Sequence, residues 1–123
     1  MAASEELLAF IRDTFGSVWA IELLLLLKKD PKRSWSTAEL VTELRASEHI
    51  VKTFGEQLMA AGLVVADGTG AYRYGPAARP LARLADETEA LYARRPDAVR
   101  RMIVITAVGD LDAFADAFRL RKD

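Results

Sequence analysis

Between positions 48 and 57 the chain carries Glu48, His49, Lys52, Thr53, Glu56 and Gln57, side chains able to read the edges of base pairs. Lys, Thr and Gln hydrogen-bond to base edges in the major groove, and a glutamate can accept from cytosine N4. On a 3.6-residue wheel they lie outward, with Gln57 at the edge, while Ile50, Val51, Phe54, Leu58 and Ala61 make the apolar side. Lys32 and Arg33 precede this stretch, Arg45 adjoins it and Arg73 follows it, and cations of this kind hold phosphates. The charge balance opposes that reading. From residue 36 to 62 the acids Glu39, Glu43, Glu48 and Glu56 outnumber the bases Arg45 and Lys52. A DNA reader gains much of its affinity by neutralising phosphates. The whole chain has a formal net charge of −1, so composition does not argue for nucleic acid.

Other chemistries have less material. There is one histidine, no cysteine, no Gly-rich phosphate loop and no His/carboxylate cluster at metal spacing. Asp86, Glu87 and Glu89 lie among arginines and read as a solvated helix face. Asp110, Asp112 and Asp116 are cation-binding types, but two of them suit the cap and first turn of a helix. No catalytic residue, metal site or cofactor is predicted, and an enzyme is not expected. The absence of cysteine fits a reducing cytoplasm.

The elements that would position residues 48–57 are marked by caps. Ser36 with Glu39 has the capping-box spacing, and Leu40, Val41 and Leu44 follow at helical intervals. Arg45 and Ala46 form a turn, and Ser47 caps the next helix, which Gly62 ends in a left-handed position. The β-runs 63–66 and 71–74 flank Asp67-Gly68-Thr69-Gly70, a hairpin signal in which the glycines serve the turn.

Helix, turn, helix and hairpin over residues 36–74 resemble the winged helix-turn-helix module, most closely at residues 58–65, where an Ala-Ala-Gly-Leu-Val exit enters the wing. With the flanking helices, the arrangement is similar to regulators of the MarR and PadR families. The resemblance implies a mainly α (α+β) fold with a two-stranded wing and a recognition helix at about 47–61. It also implies double-stranded DNA as partner, with contacts from Lys32, Arg33, Ser36, Thr37, Arg45, Ser47, His49, Lys52, Thr53, Gln57 and Arg73. The alternative is a winged helix that binds a protein partner, modulating another regulator or the transcription machinery without reading DNA.

The chain's 123 residues read as one domain, with a core at 17–76 and flanking helices at 4–15 and 79–119. The leucine run 23–27 predicts a helix buried on every side. It is too short for a membrane span, and Glu22 interrupts it. Trp19 and Trp35 read as packing residues, and Phe54 and Leu58 are expected against Leu40, Leu44 and the leucine helix. Pro80 reads as the first residue of a helix. Residues 98–106 suggest a helix, with a strand as the alternative at 102–108. Apolar stripes at Leu7, Leu8 and Ile11, at 81–92 and at 111–118 exceed the evident need of one core and predict a homodimer through the flanking helices.

Overall fold

The leucine run forms the centre of the protein. A computed structural model describes residues 4–103. Ser17 caps helix α2 (Val18–Lys29) by accepting from the Trp19 N–H at 3.1 Å, after a first helix α1 (Glu5–Thr14) capped by Ser4. Ala20, Ile21, Leu23, Leu24 and Leu27 of α2 are buried. Leu25 and Leu26 are only half-buried, so the helix is not enclosed on every side, because a groove bordered by Glu43, Leu44 and Glu89 remains along it. Among the described residues no helix is long and apolar enough to cross a membrane.

The helix pair forms as its caps dictate. In α3 (Thr37–Leu44) Ser36 Oγ accepts from the Glu39 N–H at 3.1 Å, and Glu39 Oε1 accepts from the Ser36 N–H at 2.9 Å. Arg45 ends α3 in the left-handed region at φ 55°, and both its N–H and that of Ala46 donate to the Val41 carbonyl. Ser47 caps α4 (Glu48–Ala60) by accepting from Ile50 N–H at 3.1 Å. At its far end Gly62 has φ +79°. Its N–H reaches the Met59 carbonyl and the Leu63 N–H the Leu58 carbonyl, each at 3.0 Å. These are the paired bonds of a Schellman stop.

The chain then turns into a two-stranded antiparallel hairpin, β1 (Val64–Ala66) with β2 (Tyr72–Tyr74), Val65 opposite Arg73. Asp67 organises its loop, Oδ1 accepting from the Thr69 N–H at 2.8 Å, the Thr69 hydroxyl at 2.6 Å and the Ala71 N–H at 3.2 Å. Trp35 adds a bridge at the hairpin's edge, exchanging both backbone bonds with Tyr72 at 2.8 Å.

Helix α5 (Arg79–Arg94) packs on α1, and a further helix, α6, runs over residues 96–103. Pro80 falls at the second helical position, after Arg79. Residues 102 and 103 are helical; the rest of 102–108, the stop and cap at Gly109 and Asp110, and the stripe 111–118 lie outside the described residues. The protein is mainly helical with a two-stranded antiparallel sheet.

Three expectations change in the folded chain. Phe54 is half-buried, while Val51, Gly55 and Leu58 form the buried line of α4. The reason is Tyr72, whose ring occupies the space over Gly55 and leaves Phe54 at the margin. Asp86 and Glu89 are more than a solvated face: both hold Lys28 Nζ, each at 2.8 Å. The N-terminal and α5 stripes are largely used within one chain, since Leu7, Ile11, Leu84 and Leu91 are all buried in its core.

Candidate nucleic-acid interface

The outer side of α4 carries the predicted group. Glu48, His49, Lys52, Glu56 and Gln57 are exposed and Thr53 is half-buried. The Ser47 cap orients the first turn, and Val51, Gly55 and Leu58 anchor the opposite side. Lys52 is not free. Its Nζ lies 3.1 Å from Glu48 Oε1, one turn earlier. Gln57 stands at the edge, facing the α1–α2 turn at Gly16.

The cations divide into engaged and available. Arg33 donates to Glu39 Oε2 at 2.7 Å and stacks with its guanidinium carbon 3.5 Å from the centre of the Trp35 ring. Glu39 is held below its ordinary pKa by the Ser36 N–H first and by Arg33 second. Lys32, Arg45 and Arg73 are exposed and have no ion-pair partner among the described residues. Ser36 and Ser47 each spend an oxygen lone pair on a cap, and Thr37 is half-buried at the start of α3. Arg73 shares the hairpin's exposed side with Val65, while Tyr72 alternates inward to α4. The fold therefore groups Arg45 with the start of α4 by chain connection and sets Arg73 on a different side of the hairpin from Tyr72.

Tyr72 is the site residue that sequence reasoning missed. Burial raises the pKa of its phenol, with the Glu56 carboxylate nearby raising it further and the Lys52 ammonium lowering it. Its hydroxyl lies over Gly55 of α4 while its backbone holds Trp35. The only sequence signal was an aromatic two residues after Gly70 facing a glycine in mid-helix. On the far side of α2, Lys28 is kept charged. Partial burial works against its ammonium, but the hydrogen bonds it donates to Asp86 and Glu89 outweigh this and raise its pKa.

Comparison with protein-family models, curated proteins and solved structures finds no match to this chain.

Proposed function

We propose that this chain is a winged helix-turn-helix DNA-binding regulator, with α4 as recognition helix and the 64–74 hairpin as wing. The observation that carries the reading is the exposed polar face of α4, which begins one turn after the exposed Arg45, a cation with no ion-pair partner among the described residues. In this role Lys52 reads a base edge with His49 beside it, Gln57 and Thr53 extend the face, and Lys32, Arg45 and Arg73 hold phosphates. Arg33 braces Trp35 and reaches phosphate only by leaving Glu39. The Glu48–Lys52 pair does not block the role. An exposed i,i+4 pair is worth roughly 0.3–0.5 kcal/mol, whereas a good base contact contributes about 1–3 kcal/mol. The proposal concerns one chain acting on duplex DNA.

A second reading rests on Glu48 and Glu56, which would stand next to phosphates if α4 entered the groove. They suit a basic protein surface better, and the same helix would then dock a partner protein. A salt titration of binding to random duplex DNA separates the two. The DNA reading requires an affinity that falls steeply as salt rises. No measurable binding to duplex at low salt selects the protein partner.

A further inference from the structure

The cations that α4 lacks are concentrated elsewhere. Residues 94–101 hold Arg94, Arg95, Arg100 and Arg101 against the single acid Asp97, whereas residues 48–57 hold Lys52 against Glu48 and Glu56. The fold does not spread these arginines along one helix. Helix α5 stops at Arg94, and the Arg95 N–H donates to the Leu91 carbonyl at 2.7 Å. Helix α6 starts at once, its Val99 N–H donating to the Arg95 carbonyl at 3.2 Å. Buried Leu91, Val99 and Ile103 pin both arms of this corner to the core, and all four arginines are exposed. Arg101 falls opposite Val99 and Ile103 on the helical wheel.

The four are not equally free. Arg100 donates through Nε to the Tyr92 hydroxyl at 3.1 Å, and its other nitrogens lie 3.9 Å from Glu22 Oε1 and 3.8 Å from Asp97 Oδ1. Arg101 reaches only the Asp97 backbone carbonyl, at 3.4 Å. Arg94, Arg95 and Arg101 have no ion-pair partner among the described residues. The dipole of α5 favours cations at its end, which accounts for Arg94 and Arg95 but gives no reason for Arg101 in the next helix. Three unpaired guanidinium groups within eight residues repel one another and suit a polyanion. Each planar fork can take a phosphate by two N–H bonds.

We propose that the α5–α6 corner is a second, sequence-independent contact with the phosphate backbone of duplex DNA, made by Arg94, Arg95 and Arg101. It rests on the DNA reading above for the identity of the polymer, but not on α4 as the part that reads it. The corner supplies positive charge that the α4 face lacks. It leaves sequence discrimination to other residues, because phosphate contacts carry no base information.

The test is a salt titration on random duplex DNA, comparing the full chain with its triple variant Arg94→Gln, Arg95→Gln, Arg101→Gln. Three lost phosphate contacts should lower the slope of log affinity against log salt by roughly 2.7. Between about 50 and 200 mM salt the unaltered chain should then lose roughly 40-fold more affinity than the variant. Arg79→Gln removes an exposed charge at the other end of α5, about 22 Å along the helix, and should leave the slope unchanged. If the triple variant melts early, Arg94→Gln and Arg101→Gln alone carry the same test, each lowering the slope by about 0.9. An unchanged slope in these variants overturns the inference and leaves α4 as the DNA reader. A lowered slope, with Lys52→Ala and Glu56→Gln changing nothing, upholds the corner and removes α4 from the reading. An equal loss with Arg79→Gln and Arg94→Gln shows that only net charge matters and overturns the corner. Binding to phosphatidylserine vesicles without binding to duplex at low salt overturns it too.

Discussion

Tyr72 lies so close to Gly55 that a Cβ at position 55 would stand 2.8 Å from the ring Cζ and 2.9 Å from Cε1. This contact sets the angle between hairpin and α4, because Tyr72 is buried and also bonded through its backbone to Trp35. Gly55→Ala should therefore destabilise the protein by about 1–2 kcal/mol, overpacking outweighing the gain in helix propensity. In a Tyr72→Ala background the same substitution should be neutral or stabilising by up to about 1 kcal/mol. Urea melts of the four proteins check this, and an equal cost in both backgrounds would show that the contact is not what constrains position 55.

Arg45 separates folding from binding. A non-glycine residue at φ 55° is strained, so Arg45→Gly should hold or raise stability, by up to about 1 kcal/mol. If Arg45 holds a phosphate, the same variant should bind all duplex sequences more weakly and lower the salt slope by about one. A thermal melt and a salt titration measure the two effects independently.

The face of α4 gives a specific pattern. Lys52→Ala should cost about 1–3 kcal/mol at a preferred site and flatten discrimination between sequences, whereas Lys32→Ala should weaken every sequence alike. Glu48→Gln frees Lys52 and, like Glu56→Gln, removes a carboxylate from the face, so both should strengthen nonspecific binding. If Lys52→Ala and Glu56→Gln both leave fluorescence-anisotropy titrations unchanged, α4 does not meet DNA.

Within α4 the burial order ranks two core substitutions. Leu58 is fully buried and Phe54 only half-buried. Leu58→Ala should cost about 2–5 kcal/mol, and Phe54→Ala less. Equal or reversed losses in urea melts would mean the helix presents a different line to α2.

The hairpin loop should respond to acid. Hydrogen bonds from the Thr69 hydroxyl first, then from the Thr69 and Ala71 N–H groups, hold the Asp67 carboxyl below its ordinary pKa. A carboxyl lowered in the folded state contributes stability above its unfolded pKa and loses it as pH falls through the folded one. The Thr69 and Ala71 amides should accordingly lose hydrogen-exchange protection, corrected for the intrinsic rate, as the pH drops below about 4. Asp67→Asn should make the remaining protection independent of pH in that range.

Much of this protein was written locally. Ser36 with Glu39, Ser47 and Gly62 mark their helix ends because caps satisfy backbone groups within three or four residues. Asp67 to Gly70 mark the hairpin for the same reason, and the polar residues of α4 declare a face through the helical period alone. What needed the tertiary structure is the set of contacts between segments far apart in the chain. Nothing near Gly55 announces that Tyr72 will rest on it, so Phe54 looked like the centre of the buried side. Asp86 and Glu89 looked solvated until α5 was set beside Lys28, and Arg33 looked available until Trp35 and Glu39 were found holding it. Periodicity assigns a side chain to a face of its own element; only packing decides what covers that face and which charges it neutralises.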